Sequence, residues 1–170
     1  PSDIYRSCTQ LEKSGINSRF FWYDLGVTYA SFLDDNDKAI MAYEKVMELS
    51  QDWGGYWEYD DFYRNYGAAL HKAGKHEEER RINEMGLEMN PDNGWIIFNQ
   101  TVCDVTQGNT VSAEKNIEKI KSLGKKLNAS ESYIDQFLGN IYYDAKDSIQ
   151  AEEHYRNAYN LDRNHQSRMF

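Results

Sequence analysis

The segment "SYIDQFLGNIYYDAKDSIQAEEHYRNAYNLDRN", residues 132–164, decides the fold. Leu138 and Tyr142, then Ala151, Tyr155, Ala158 and Leu161, recur at three-to-four spacing. That spacing lines one face of a helix with apolar side chains. The polar turn "DAKD" (144–147) interrupts the run. The segment therefore predicts two short amphipathic helices joined by a tight turn.

Three upstream stretches align on the same pattern: "RFFWYDLGVTYASFLDDNDKAIMAYEKVMELS", "DDFYRNYGAALHKAGKHEEERRINEMGLEMNPDN" and "GWIIFNQTVCDVTQGNTVSAEKNIEKIKSLG". The four start at Arg19, Asp60, Gly94 and Ser132, which lie 41, 34 and 38 residues apart. In the second, "KAGKH" is the turn, and Gly74 suits a helix C-cap. A period of about 34 residues, here with insertions, is the mark of stacked helical repeats.

Composition agrees. The chain has 170 residues, 40% apolar and 28% charged, as a globular domain does. Its two prolines leave helices uninterrupted. A net charge of −9 without a basic run argues against nucleic acid and anionic membrane as partners. No apolar run is long enough to span a bilayer, and no signal-peptide pattern is present. Localisation stays open: a cytoplasmic protein is slightly favoured, while the start at Pro1 is compatible with a processed or exported chain. Cys8 and Cys103 match no zinc spacing and read as free, buried or half-buried thiols.

On these residues the chain resembles the tetratricopeptide repeat (TPR) family, whose pattern runs large residue, Leu-Gly, aromatic, small residue, aromatic, Ala, Pro. The first repeat offers Trp22, Leu25, Gly26, Tyr29, Ala39, Tyr43 and Val46, with one residue added in the turn "LDDND". The second offers Tyr63, Tyr66, Gly67, Leu70, Gly86 and Pro91, and the fourth Leu138, Gly139, Tyr142, Ala151, Tyr155 and Ala158. The third offers Ile97, Gln100, Thr101 and Ala113, with Ile117 and Ile120 in place of the later aromatic and Ala. Departures are Glu79 and Asn83 in the second repeat, where looser packing is expected, and Thr101 and Asp104 in the third.

The resemblance implies an all-α, right-handed α-solenoid of antiparallel helix pairs. It divides the chain into a capping helix or remnant of a preceding repeat (1–17), repeats at 19–51, 60–93, 94–131 and 132–165, an aromatic insertion at 52–59 and a tail at 166–170. In the first segment Ile4, Cys8 and Leu11 are expected to face inward and Gly15 to end the helix.

Catalytic motifs are lacking: there is no GxSxG, HExxH or phosphate-binding glycine loop. "LDDNDKAI" lacks the Gly and terminal Glu of a calcium loop and reads as a solvated turn. "EEERR" (Glu77–Arg81) reads as a solvated helix face. His71 and His76 flank one turn with no further ligand set standing out around them, so neither metal nor cofactor is expected. His154 and His165 read as surface residues. The triplets "NQT" and "NAS" read as chance sequons. An enzyme would need a cleft combining Asp61, His71 and Glu79, and none is expected.

What the family resemblance implies instead is a concave groove lined by the first helix of each repeat. It assigns the groove to Phe20, Tyr23, Val27 and Ala30; Asp61, Arg64, Ala68 and His71; Trp95, Phe98, Val102 and Val105; and Tyr133, Gln136, Asn140 and Tyr143. Phe20 and Val102 suit packing between repeats equally. The expected peptide-binding residues are Tyr23, Trp57, Arg64, His71, Trp95, Phe98, Gln136, Asn140 and Tyr143. An apolar groove with scattered polar points suits a peptide segment or a partner helix. The chain is thus expected to be a non-catalytic protein–protein interaction scaffold. The alternative is a structural or oligomerising module of a larger protein, self-associating through a C-terminal helix that leaves Tyr155, Tyr159 and Met169 uncovered. The basic clamp with which some family members hold a chaperone tail is not matched here.

The stretch "DWGGYWEYDDFYRNYG" (52–67) divides on this register. Gly54-Gly55 break the preceding helix. Tyr56–Tyr59 are expected to extend the next helix backwards. Tyr59, Tyr63, Tyr66 and Leu70 form a core stripe, and Trp57 joins Asp61, Arg64, Ala68 and His71 on the groove stripe.

Overall fold

The computed structural model describes residues 2–51 and 60–167. The expectations for Trp53, Tyr56, Trp57, Tyr59 and Met169 lie outside the described residues. Among those residues the chain is all-helical, with no strand. It divides into two compact units, Pro1–Pro91 and Asp92–Phe170.

The first unit holds α1 (Ser2–Glu12), α2 (Arg19–Phe32), α3 (Asn36–Ser50), α4 (Asp60–Lys72) and α5 (His76–Met89). The second holds α6 (Gly94–Thr106), α7 (Thr110–Lys126), α8 (Glu131–Asp144) and α9 (Ser148–Ser167). Short turns make α2–α3, α4–α5, α6–α7 and α8–α9 antiparallel neighbours.

Local chemistry sets the turns. One residue in each takes a positive φ: Asp34 at 50°, Gly74 at 72°, Gly108 at 69° and Lys146 at 64°. In all four the next amide reaches back to the last turn of the helix: Asp35 to the Tyr29 carbonyl, Lys75 to Leu70, Asn109 to Asp104 and Asp147 to Tyr142, at 2.8–3.0 Å. These bonds satisfy carbonyls that the helix end would orphan. At two of the four turns the following helix opens on a side-chain cap: Asp35 Oδ1 accepts from the Lys38 amide and Asp147 Oδ1 from the Gln150 amide, both at 3.1 Å. "LDDND" is therefore a helix-capping turn.

In the first unit the core is aromatic. The buried rings of Tyr23, Tyr43, Phe62, Tyr63 and Tyr66 pack together, with Phe62 5.8 Å from Tyr43, 5.2 Å from Tyr63 and 5.7 Å from Tyr66. Tyr63, Tyr66 and Leu70 form the expected stripe. Phe62, outside that stripe, is fully buried beside them. Burial, with the Glu44 carboxylate adding, pushes the Tyr66 hydroxyl from its ordinary 10.0 up to about 12. Burial also raises Tyr43, whose hydroxyl has no hydrogen-bond partner among the described residues. A phenol raised in the folded state favours folding below its ordinary value and loses that contribution as pH climbs through the raised one. Urea midpoints are therefore expected to hold up to about pH 10 and to fall between about pH 10 and 12. Tyrosinate absorbance recorded alongside checks the assignment.

The α1 helix docks through a different face from the one expected. Cys8 is buried, but Ile4 and Leu11 remain 45% and 43% exposed. Its ring and hydrogen-bond contacts run through Tyr5, itself 41% exposed, and Glu12, on the same side as buried Cys8 at three-to-four spacing. Tyr29 donates its hydroxyl proton to Glu12 Oε1 at 2.6 Å, and Lys38 Nζ lies 4.4 Å over the Tyr5 ring. A polar clamp thus replaces the apolar contact that Ile4 and Leu11 suggested. Gly15, at φ 72°, lies in the turn after the helix.

In the second unit Asp104 stands where the repeat pattern has an aromatic. It is fully buried, and its Oδ2 accepts from Ser112 Oγ at 2.6 Å and Asn116 Nδ2 at 3.1 Å, both on α7. The α6–α7 pair is joined there by hydrogen bonds instead of a ring. Thr101, in the Gly position, is also fully buried and donates its hydroxyl to the Ile97 carbonyl. His154 is half-buried rather than a surface residue. It stacks on Tyr142 at 5.4 Å and bonds Asp135 Oδ1 at 2.8 Å, joining α8 to α9.

Candidate functional site

Each unit holds a hollow beside the first helices of its repeats, and of the nine expected binding residues only Trp95 lines one. The second unit holds an apolar hollow of about 260 Å³ lined by Gly94, Trp95, Ile120, Leu123, Gly124, Leu127, Tyr133, Ile134 and Phe137. Asn93 opens α6 by accepting the amides of Trp95 and Ile96, at 3.0 and 3.1 Å, which fixes the Trp95 backbone. Ser130 opens α8 by accepting the Tyr133 amide at 3.1 Å, so Tyr133 and Phe137 share one face. Trp95 is 50% exposed and leans on Phe137 at 5.4 Å and on Phe98 at 5.9 Å. Gly124 lets the last turn of α7 approach α8, because a Cβ there would meet Ile134 at 2.8 Å.

The first unit holds a polar hollow of about 290 Å³ between Ala30, Ser31, Asp34, Asn36, Tyr43, Asn65, Ala68, Ala69 and Lys72. Asn36 Oδ1 and the Tyr43 hydroxyl, both at its wall, have no hydrogen-bond partner among the described residues.

The nine expected binding residues separate by environment. Trp95, Gln136, Asn140 and Tyr143 are exposed. Asn140 Oδ1 accepts from the Tyr155 hydroxyl at 2.8 Å and so also holds α9 in place. Tyr23 and Phe98 are buried and support the surface from beneath. The Tyr23 hydroxyl accepts from Asn65 Nδ2 at 2.8 Å. Arg64 pairs with Asp61 at 3.2 Å. Trp57 lies outside the described residues. Sequence reasoning missed Leu123 and Leu127, which belong to a second helix of a repeat. The apolar residues closing α7 are the signal that was available.

His71 is engaged elsewhere. Its Nδ1 lies 3.1 Å from Glu79 Oε2, and His76 Nδ1 lies 2.9 Å from the same oxygen. Glu79 is fully buried, so the solvated face expected over Glu77–Arg81 is broken at its centre. The ligand set not expected around His71 and His76 is therefore completed by Glu79: these three offer ligand atoms within 4.8 Å of one another. Asp61, paired with Arg64, does not join them. No helix among the described residues is long and apolar enough to cross a membrane.

A family model described as "Tetratricopeptide repeat" matches residues 21–52 and 136–165. No curated protein matches. Among solved structures, one described as "Crystal structure of MamA" superposes with a TM-score of 0.64 at 15% identity, covering 95% of this chain and 88% of that one. "MamA 41-end from Desulfovibrio magneticus RS-1" superposes at 0.63 with 20% identity, covering 95% and 86%. At such identities the likeness is one of fold. The chain thus carries tetratricopeptide repeats at residues 21–52 and 136–165, in an all-helical fold whose described residues build the same helix pair four times, and such repeats support in general terms a protein-interaction scaffold.

Proposed function

We propose that the chain binds a peptide segment or a partner helix through the first helices of its repeats, with the apolar hollow of the second unit taking an anchoring side chain. The observation that carries this reading is Trp95, a large aromatic held half-exposed at the mouth of a hollow of about 260 Å³. An exposed indole beside a preformed apolar recess is the usual energetic centre of a peptide interface.

Selection of a displayed peptide library against the chain tests this. Selected peptides are expected to share an aromatic or aliphatic anchor and to bind Trp95→Ala at least about tenfold more weakly, with helicity unchanged. Peptides that bind the variant equally well would sink the reading. Light scattering on the same samples separates it from self-association through α9, where Tyr159 is exposed.

A further inference from the structure

We propose that His71, His76 and Glu79 form a binding site for one divalent transition-metal ion of the zinc type, clasping the end of α4 to the start of α5. Two imidazoles and a carboxylate are a familiar three-ligand set for such ions, with a fourth position left for water. The backbone brings them together before any ion arrives. His71 sits in the last turn of α4, His76 is the first residue of α5, and Glu79 lies one helical turn further on. The turn between them is fixed by Gly74 at φ 72° and by the Lys75 amide bonded to the Leu70 carbonyl at 2.9 Å.

The spacing is close to that of a bound site. One ligand atom from each residue lies within 4.8 Å of the others, and Glu79 Oε2 is already 3.1 and 2.9 Å from the two Nδ1 atoms. Metal–ligand bonds of about 2.0–2.2 Å in a tetrahedron put ligand atoms roughly 3.3–3.6 Å apart. Ligand atoms up to 4.8 Å apart reach that spacing by closing about 1.2–1.5 Å, while the carboxylate oxygen at 2.9–3.1 Å moves slightly outward. Both histidines are partly exposed, which leaves an entry path.

A second observation points to a cation. Glu79 is fully buried, and its Oε1 has no hydrogen-bond partner among the described residues. A carboxylate charge buried with one oxygen unpartnered is costly. A dication cancels it. A neutral imidazole presents one ring nitrogen to such an ion and keeps its hydrogen on the other.

The test uses the full chain, stripped with a chelator and titrated with Zn²⁺ by calorimetry and with Co²⁺ by visible absorption. One equivalent of Zn²⁺ is expected to bind and to raise the melting temperature, and Co²⁺ is expected to give the intense bands of a low-coordinate site. His71→Ala, His76→Ala and Glu79→Gln are each expected to weaken binding about tenfold or more, whereas His154→Ala leaves it unchanged. Melting curves of the metal-free variants establish that each still folds. Failure to observe saturable one-equivalent binding, or binding retained in the His71→Ala/His76→Ala double variant, overturns the proposal.

Discussion

Phe62→Ala is expected to lower the unfolding free energy by about 3–5 kcal/mol, the largest loss from any single side chain considered. The ring is fully buried, and four other rings surround it: Tyr23 at 6.5 Å, Tyr43 at 5.8 Å, Tyr63 at 5.2 Å and Tyr66 at 5.7 Å. Those on Tyr43 and Tyr63 are edge-on, an arrangement in which each aromatic pair adds about 0.5–1.5 kcal/mol beyond its buried area. Truncation removes all four contacts, and the neighbouring phenols have limited freedom to collapse into the space. Phe62→Leu keeps most of the volume and is expected to cost roughly half as much. Urea unfolding followed by helical circular dichroism gives both values. A loss below about 1 kcal/mol for Phe62→Ala would mean that the five rings do not form a common core.

Why Phe62 escaped the sequence reading bears on what such a pattern can carry. Periodicity assigns one apolar face per helix, and on α4 it found Tyr63, Tyr66 and Leu70. A helix inside a stack packs on more than one side, and α4 touches α2, α3 and α5. Phe62 serves the side that the period leaves out. The same limit explains α1, where Ile4 and Leu11 promised the docking face and Tyr5 and Glu12 took the contacts, to Tyr29 and Lys38. Hydrogen bonds and ring contacts of that kind have no signature in hydropathy.

The repeats themselves were legible because small residues and turn formers have few uses. Gly26, Gly74 and Gly139 each mark a place where backbone geometry or close approach excludes a side chain. The candidate site was legible only in part. Trp95 stood on the expected face, but Leu123 and Leu127 of its hollow come from the partner helix of the pair. Glu79 was hidden for a related reason. It occupies a position the pattern reserves for a small residue, amid the charged run Glu77–Arg81, where composition points to solvent. Its burial follows from its place in the repeat, and burial is what makes the two neighbouring histidines its partners.

Gly26→Ala is expected to destabilise the fold by about 2 kcal/mol, while the equivalent Gly139→Ala costs less than about 1 kcal/mol. The two glycines occupy the same repeat position and face the same aromatic of the following helix. A Cβ on Gly26 would lie 2.5 Å from Tyr43 Cε1, and one on Gly139 would lie 2.6 Å from Tyr155 Cε1. Both distances demand movement, and what differs is the freedom of the ring. Tyr43 is fully buried and wedged against Tyr23, Phe62 and Tyr66, so its displacement disturbs the core. Tyr155 is 37% exposed, and the bond from its hydroxyl to Asn140 Oδ1 is at the surface. It can swing outward at the cost of that one hydrogen bond. In each case the better helix propensity of Ala returns about 0.8–1.0 kcal/mol, which nearly offsets the smaller penalty and not the larger. Equal losses from the two substitutions in urea unfolding would show that the close helix approach, rather than the mobility of the facing ring, sets the cost.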